Sequence, residues 1–405
     1  MEFELTKPQK AGFSAKRLLR INELVKGYID RGELPGILTL ISRHGKIIHL
    51  EKFGWMDVEA KKPLEFDTIF RIASMTKPIT SVAAMMLYER GHFNLNTSVW
   101  KFLPDFKHTK VYLRETESGV ETVELTQDIT MRHLFTHTSG LSYGFNPEDP
   151  IDKIYQQAGK ELQEEGLPLT NKTLYAGLAR MPLAFQPGTK WRYGFNIEIL
   201  GHIIEVISGL SLDEYLRKRI FEPLEMVDTG FYVPPEKLDR VPCVYGHPKD
   251  PSLLEKLDID VETVPPTYLP GGTGLVSTLA DYSNFARMLV NGGEFNGKRL
   301  LSPHTVALFS LNHAPIQSLP YGFSENDLYH AGYGYSLGTR VLMDVSKTGM
   351  AGSVGEFGWD GAFSTYFWID PSEDLYGILM TQHSPNAYYP IHQQFKMLTY
   401  QALVE

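Results

Sequence analysis

The sequence predicts an α+β fold in which both ends of the chain build one antiparallel sheet, flanked by helices, with an inserted, mainly helical lobe. Strand-like apolar segments lie near 36–51 and again from 331 onward, whereas residues 150–290 have mostly helical patterns. The sequence has no repeated strand–helix–strand rhythm, which would indicate a doubly wound parallel sheet. We therefore predict a single unit spanning 1–405, whose sheet draws on both termini.

The first elements along the chain are a helix and a hairpin. Residues 14–32 have the spacing of an amphipathic helix, with Ser14 as its cap and apolar side chains at helical intervals, namely Leu18, Ile21, Val25 and Ile29. Two apolar segments, 36–42 and 46–51, flank the turn sequence Arg43-His44-Gly45. This pattern predicts an antiparallel hairpin.

The remaining elements are predicted from the same patterns. A small hairpin is expected within 111–125, and a helix is expected from the region of residue 74 to about residue 90. Further helices are predicted near 151–165, 171–181, 196–208, 212–221, 278–291 and 390–403, and strands near 333–343, 353–357, 362–370 and 375–382. This order predicts an α/β lobe at about 1–75 plus 292–405 and a helical lobe at about 76–291.

Composition and charge restrict the partners of the protein. A net charge of −9 argues against nucleic acid and against anionic membrane surfaces. The single cysteine, Cys243, cannot form an internal disulfide, and its neighbours in sequence include no activating base. The N-terminus lacks the basic start and apolar run of a secretory signal, and no stretch of about 18 apolar residues predicts a membrane span. We therefore expect a cytoplasmic protein, with no prediction for its oligomeric state.

The strongest chemical signal is the sequence Arg71-Ile-Ala-Ser74-Met-Thr-Lys77-Pro78. On a helix, Ser74 and Lys77 share one face, so the lysine amine can reach the serine hydroxyl and take its proton. A helix N-terminus also offers free backbone N–H groups to a developing negative charge. The same residues fit an ordinary serine cap followed by a surface lysine, and this stretch alone does not decide between the two interpretations.

Two further stretches contain candidate site residues. Tyr193 precedes a predicted helix, and its hydroxyl could relay protons, because a phenol ionises more easily beside a lysine ammonium. The glycine-rich segment 355–363 leads into an apolar strand, where the backbone N–H of Ala362 could complete an oxyanion hole with that of Ser74. Taken alone, Tyr193 also fits a tyrosine packed at a helix start, and the glycine-rich segment fits a plain turn.

His133 and His137 stand four residues apart and raise the question of a metal site. No cysteine lies near them, and they are not part of a His-Glu-x-x-His motif. We therefore interpret them as structural histidines and expect neither a metal nor an organic cofactor.

Together these stretches resemble, in their order along the chain, the serine β-lactamase-like proteins. The shared pieces are Ser74-x-x-Lys77, His137-Thr-Ser-Gly140, Pro187-Gly with Tyr193 and Leu200-Gly201, Phe221-Glu-Pro-Leu224, Gly271-Gly-Thr-Gly274 and Trp359-Asp-Gly361. The chain is similar to class C β-lactamases and penicillin-binding proteins, and looks closest to the family VIII bacterial carboxylesterases, over about 15–385. The resemblance implies a nucleophilic Ser74, a base Lys77, a proton shuttle Tyr193 and a two-lobed fold.

Two departures from the lactamase pattern bear on the substrate. Asn196 follows the tyrosine one place later than in the lactamases, and Trp359-Asp360-Gly361 stands where they have Lys-Thr-Gly. In the lactamases that lysine helps to hold a substrate carboxylate, so here a carboxylate would lose a cation and meet an anion. We therefore predict a neutral ester as substrate. The candidate substrate-binding residues are Trp359, Asp360, Gly361, Tyr143, Phe145 and Tyr333.

Two other motifs are literal matches to catalytic signatures. Lys347-Thr348-Gly349 is a Lys-Thr-Gly, but no edge strand follows it directly. The sequence Gly334-Tyr-Ser336-Leu-Gly338 matches the G-x-S-x-G of α/β-hydrolases, but the residues after it continue as a strand and not as the required helix. We interpret both matches as coincidences.

The sequence therefore predicts a serine hydrolase that cleaves carboxylic esters of short to medium acyl length through an acyl-enzyme on Ser74. Its expected partner is a small-molecule ester. Three alternatives remain open at this point: hydrolysis of β-lactams or D-amino-acid peptides, acyl transfer on the same site, and a non-catalytic binding role.

Overall fold

Strands from both ends of the chain form one eight-stranded sheet in the computed structural model, which describes residues 3–117, 119–164, 166, 168–248, 250, 253–319, 321–322 and 330–405. The strands are β1 Gly36–Arg43, β2 Lys46–Asp57, β3 Lys62–Pro63, β4 Phe70–Arg71, β5 Val111–Thr116, β6 Gly119–Val123, β7 Val244–Gly246, β8 Glu255–Leu257, β9 Val276–Ser277, β10 Glu294–Phe295, β11 Lys298–Arg299, β12 Tyr333–Tyr335, β13 Arg340–Leu342, β14 Phe357–Asp360, β15 Tyr366–Asp370, β16 Leu375–Met380 and β17 His383–Ser384. The order in the large sheet is β12-β13-β14-β15-β16-β1-β2-β3.

Strand β1 lies inside the large sheet, between β16 and β2, and both of its faces are covered. All eight of its residues are buried, and it pairs antiparallel with β16, placing Leu38 opposite Met380. Its apolar side chains alternate between two cores, since successive residues of a strand point to opposite faces. Leu38 and Leu40 belong to the larger core, whereas Ile37 and Ile41 belong to the smaller one.

The helices cover the two faces of the sheet. They are α1 Ala15–Asp30, α2 Thr76–Glu89, α3 Met131–Phe135, α4 Pro150–Glu164, α5 Asn171–Leu178, α6 Asn196–Ser208, α7 Leu212–Leu216, α8 Leu279–Val290, α9 Pro303–Ala307, α10 Val345–Thr348 and α11 Ile391–Ala402. Short 3₁₀ helices span Pro8–Ala11, Ala73–Met75, Val99–Lys101, Pro104–His108, Pro235–Arg240, Leu308–Ser310 and Ile316–Ser318, and a π-helical turn spans Arg217–Phe221. Apolar residues of α1 and α11 belong to the smaller core, and those of α2, α6 and α8 belong to the larger core.

The predicted α+β fold, with an antiparallel sheet assembled from both chain ends, is confirmed. Helix α1 begins after Ser14, whose hydroxyl accepts a hydrogen bond from the backbone N–H of Arg17 at 3.4 Å. The predicted hairpins within 36–51 and 111–125 are present as β1–β2 and β5–β6. The division into two lobes, with its boundaries, stays a prediction.

The predictions were least accurate between 333 and 370. The expected strand at 333–343 is a hairpin, β12–β13, because residues 336–339 form its turn. The strand expected at 362–370 begins only at Tyr366, and Ala362 lies in the turn between β14 and β15. Strand β14 lies inside the sheet, between β13 and β15.

No helix of the described residues is long and apolar enough to cross a membrane.

Candidate active site

Ser74 lies in a tight 3₁₀ turn immediately before α2. The turn spans Ala73–Met75, and α2 then continues with Lys77 in its first turn. Ala73 has a φ of 42°, a left-handed conformation that is uncommon for a residue with a Cβ. Strained backbone of this kind concentrates at functional sites, where the surrounding structure fixes a side chain in place. The strain at Ala73 therefore marks the neighbouring Ser74 as a functional candidate.

The Ser74 hydroxyl is within hydrogen-bonding distance of two titratable side chains. Lys77 Nζ donates to Ser74 Oγ at 3.2 Å, and the Tyr193 hydroxyl donates to the same oxygen at 2.8 Å. Such contacts place both groups within reach of the hydroxyl proton. The structure thus brings together the three residues that the sequence selected, and the local interpretation of Ser74 as a simple helix cap does not account for this arrangement.

Lys77 is fully buried, and its ammonium group is held by neutral partners. Besides Ser74, its Nζ donates to the carbonyl oxygen of Gly272 at 2.9 Å and lies 4.4 Å from the centre of the Tyr193 ring. Among the described residues, no carboxylate oxygen lies within the 4.0 Å of an ion pair with this nitrogen. Lys77 therefore contacts the Ser74 hydroxyl without a direct carboxylate partner among the described residues.

The segment before α6 fixes Tyr193 in position. Its neighbour Arg192 forms ion pairs with Asp149 at 3.0 Å and Asp152 at 2.7 Å, at the start of α4. Gly194 packs so closely that a Cβ there would lie 2.2 Å from the carbonyl oxygen of Leu141. Only glycine therefore fits beside Tyr193, and the tyrosine ring is anchored on both sides in sequence.

His137 packs against the Tyr193 ring and is itself held by Asn196. The His137 ring lies 4.7 Å from the Tyr193 ring, and the Asn196 amide contacts His137 Nδ1 at 3.0 Å. Complete burial, followed by the charge of Lys77, holds the pKa of His137 well below its usual value, so this imidazole is neutral. The Ser139 hydroxyl donates to Asn196 Oδ1 at 2.5 Å. Asn196, which follows the tyrosine one place later than in the lactamases, therefore holds His137 in place.

The turn that contains Ala362 lies against the residue two places before Ser74. A Cβ at Gly361 would lie 2.4 Å from the carbonyl oxygen of Ile72, and the Thr365 hydroxyl donates to that oxygen at 3.4 Å. The backbone N–H of Ala362 has no acceptor among the described residues, and Ala362 is exposed. A free donor therefore lies in the turn packed beside the Ser74 segment, as an oxyanion hole requires.

Trp359 and Asp360, adjacent in β14, point to opposite faces of the sheet, as successive strand residues do. Trp359 lies on the Ser74 side, where its indole N–H donates to the Tyr193 hydroxyl at 3.4 Å. Asp360 lies on the other side, where it pairs with Arg340 at 2.9 Å and accepts from Asn386 at 2.7 Å. The expectation that Asp360 presents a negative charge to the substrate was therefore wrong, because its charge is paired beneath the sheet.

The predicted aromatic residues divide between two places. Tyr143 packs edge-on against the Tyr193 ring at 5.3 Å, and Phe145 stacks on Tyr143 at 5.0 Å with 69% of its surface exposed. Tyr333 is elsewhere: its hydroxyl donates to Glu356 at 3.2 Å and accepts from Lys396 at 2.9 Å, in a buried cluster with α11. Its assignment to substrate binding is thus corrected, because its polar group is already satisfied within the protein interior.

Sequence reasoning missed several residues around Tyr193. One is the aromatic neighbour Trp191, whose ring stacks on the Tyr193 ring at 5.8 Å. Gly272 supplies the carbonyl acceptor for Lys77. The glycine-rich turn around Gly272 was visible in the sequence, but no sequence signal indicated that a backbone oxygen 195 positions away would bind Lys77.

The competing motifs lack catalytic geometry. Ser336 is buried in the β12–β13 turn and donates to the carbonyl oxygen of Leu308 at 3.1 Å, with a strand and no helix after it. Lys347 is on the short helix α10, 69% exposed and 3.4 Å from Asp344.

The Cys243 thiol has a pKa raised by burial, which disfavours the reactive thiolate. No group of three or more His, Cys, Asp or Glu side chains that could hold a metal ion occurs within the described residues.

The fold and this geometry define an enzyme of the β-lactamase-like serine hydrolase class. The chain belongs to the Beta-lactamase family, whose model matches residues 21–400. It is 32% identical over 369 residues to Protein Rv1367c of Mycobacterium tuberculosis (strain ATCC 25618 / H37Rv), covering 89% of each chain. It is 25% identical over 386 residues to Esterase EstB of Burkholderia gladioli, covering 91% of each. The chain also resembles the solved structure of EstCE1, which is described as a hydrolase with promiscuous acyltransferase activity. The two chains are 24% identical in sequence, with a TM-score of 0.77 over 96% of this chain and 99% of that chain.

Proposed function

We propose that the protein is a carboxylesterase of the family VIII type, which hydrolyses neutral esters of short to medium acyl length through an acyl-enzyme on Ser74. The observation that carries this proposal is the convergence of Lys77 and Tyr193 on one oxygen, at 3.2 and 2.8 Å. The similarity to Esterase EstB supports the same reaction class.

The reaction begins with transfer of the Ser74 hydroxyl proton to the pair formed by Tyr193 and Lys77. Ser74 Oγ attacks the ester carbonyl carbon, and the resulting oxyanion accepts hydrogen bonds from the backbone N–H groups of Ser74 and Ala362. The carbon–oxygen bond to the alcohol then breaks, and the pair returns its proton to the leaving alkoxide. A water molecule attacks the acyl-enzyme by the same route, and the acid and the free Ser74 hydroxyl are regenerated.

The aromatic surroundings favour an apolar substrate. Tyr143 packs against Tyr193, and the exposed Phe145 stacked on Tyr143 extends that surface outward, whereas Trp359 is buried where it contacts the Tyr193 hydroxyl. Aromatic walls of this kind bind apolar acyl or alcohol groups by burying their surface. Since Asp360 does not face Ser74, the preference for neutral esters rests on the missing lysine of the Lys-Thr-Gly motif and on this apolar wall.

Acyl transfer to an alcohol is the second candidate. EstCE1 is described as a hydrolase with promiscuous acyltransferase activity, and an acyl-enzyme on Ser74 would react with an alcohol in place of water by the same proton transfers. The two outcomes differ only in the molecule that attacks the acyl group, so they are separated by product analysis.

The deciding experiment is hydrolysis of p-nitrophenyl esters of increasing acyl length by the wild type, Ser74→Ala and Ser336→Ala. We expect Ser74→Ala to lose activity and Ser336→Ala to keep it. Addition of a primary alcohol, with mass analysis of the products, separates hydrolysis from transfer. A chromogenic cephalosporin tests the lactamase alternative. An active Ser74→Ala variant, or turnover of the cephalosporin but not of the esters, would contradict the proposal.

A further inference from the structure

Glu198 is a buried carboxylate next to the proposed catalytic residues. It lies in the first turn of α6, with 1% of its surface exposed. The Tyr143 hydroxyl donates to its Oε1 at 2.6 Å, and its Oε2 has no partner within the described residues. A buried carboxylate with one unpartnered oxygen is costly for folding, since desolvation is only partly offset. We therefore expect Glu198 either to have a compensating charge nearby or to have a functional role.

Gly272 connects Glu198 to Lys77. A Cβ on Gly272 would lie 2.2 Å from Glu198 Oε1, so the carboxylate rests directly against this glycine. Lys77 Nζ donates to the carbonyl oxygen of the same residue at 2.9 Å. The ammonium and the carboxylate thus contact one glycine without contacting each other, and they interact through the intervening low-dielectric interior.

Tyr143 provides a second connection between the two charges. Its hydroxyl is bonded to Glu198, while its ring lies 5.4 Å from Lys77 Nζ and 5.3 Å from the Tyr193 ring. A change in the charge or position of Glu198 would therefore be transmitted to the ring that lies beside both proposed bases.

The other titratable groups around this pair are neutral. Burial, with a smaller contribution from Lys77, lowers the pKa of His137. Burial raises the pKa values of the neighbouring phenols, which are Tyr143, Tyr175 and Tyr268. Burial also raises the pKa of Glu198, and the charge of Lys77 and the Tyr143 hydrogen bond oppose that effect.

We infer that Glu198 is a positioning residue whose carboxylate balances the ammonium of Lys77 and sets the pH at which the Lys77–Tyr193 pair can accept the Ser74 proton. The inference rests on the proposed acyl-serine mechanism. An anion near the pair stabilises its protonated form, because an opposite charge favours the charged amine and a like charge disfavours the phenolate. Removing that anion should therefore make the pair available as a base at lower pH.

The test is the pH dependence of Ser74 labelling by a fluorophosphonate probe, followed by intact mass from pH 5 to 9. We expect Glu198→Gln to move the acidic limb of the rate profile down by about one pH unit. Glu198→Asp keeps the charge and should restore the wild-type limb. The matched control is Glu205→Gln, a carboxylate of the same helix that pairs with His202 and accepts from the backbone N–H of Leu212. Its profile should superimpose on that of the wild type.

The inference is overturned if a folded Glu198→Gln variant keeps the acidic limb of the wild-type labelling profile. It is also overturned if Glu205→Gln moves that limb as far as Glu198→Gln does. If Glu198→Gln does not fold, Tyr143→Phe gives the second test. This variant removes the donor to Glu198, so the carboxylate protonates more readily and the limb should move down by a smaller amount; an unmoved limb overturns the inference. Labelling does not require ester turnover, so a labelled wild type that hydrolyses no ester contradicts the proposed function alone.

Discussion

The phenolic oxygen of Tyr193 lies 2.8 Å from Oγ of Ser74, although the two residues are 119 positions apart in the sequence. Lys77 Nζ lies below the same tyrosine ring, 4.4 Å from its centre. The serine, the lysine and the tyrosine therefore form one unit in which a proton can move over short distances.

Replacing Tyr193 by phenylalanine should strongly reduce acylation. The change removes the hydroxyl that contacts Ser74 and keeps the ring that packs on His137 at 4.7 Å. We expect kcat/KM for p-nitrophenyl esters to fall by about 10²–10⁴-fold, the usual contribution of a positioned proton-transfer group. The thermal midpoint should change little, and a variant with near wild-type rates would exclude Tyr193 from proton transfer.

Replacing Lys77 by arginine separates charge from proton transfer. Arginine keeps a cation but cannot be deprotonated at usable pH, so it cannot act as a base. We expect the rate of the p-nitrophenol burst to fall by about 10²-fold or more, because the proton acceptor is lost. Lys77→Met gives the uncharged comparison. An arginine variant that retains most activity would indicate that Lys77 acts only through its charge.

Replacing Asp360 by asparagine should affect stability and not substrate charge preference. The change removes the charge of the carboxylate that pairs with Arg340, whose side chain is 4% exposed. Breaking a buried pair in this way costs about 3 kcal/mol in the free energy of unfolding, as measured by denaturant titration. The matched change Asp30→Asn disrupts the exposed pair with Lys26 and should cost about 0.5 kcal/mol or less.

The same Asp360→Asn variant tests the direction in which Asp360 points. Because the Asp360 side chain lies on the sheet face opposite Trp359, the ratio of rates for neutral and carboxylate-bearing esters should equal that of the wild type. A marked gain in activity on carboxylate-bearing esters would instead place the Asp360 charge in the substrate site.

Acid should destabilise the protein through buried histidines. His49 lies in β2 and its side chain contacts the hydroxyl of Thr39 in β1 at 2.8 Å, and burial lowers its pKa to about 4. The unfolded chain binds this proton with an ordinary pKa of about 6.5. His49 therefore contributes stability above pH 6.5 that is lost as pH falls from 6.5 to 4, with a slope of about 1.4 kcal/mol per pH unit.

His49→Gln tests this dependence, because glutamine cannot protonate and keeps a polar group for Thr39. The free energy of unfolding of the variant, measured in urea from pH 4 to 8, should fall less steeply below pH 6.5 than that of the wild type. Identical slopes in the two proteins would contradict the prediction, because acid would then act through other groups.

The sequence determined those parts of the fold and site that depend on near neighbours in the chain. Helical spacing over 14–32 predicted α1, and alternating apolar segments at both ends predicted the large antiparallel sheet. The pairing of Ser74 with Lys77 was also local, since three residues along a helix bring two side chains to one face. The order of short motifs added Tyr193 by resemblance.

Only the tertiary structure decided which distant groups meet at the site and which face of the sheet each side chain occupies. Strand alternation required Trp359 and Asp360 to point apart, but the sequence could not show that Tyr193 lies on one side and Arg340 on the other. The contact of Lys77 with Gly272 and the burial of Glu198 likewise arise because long-range packing, and not local periodicity, sets these distances.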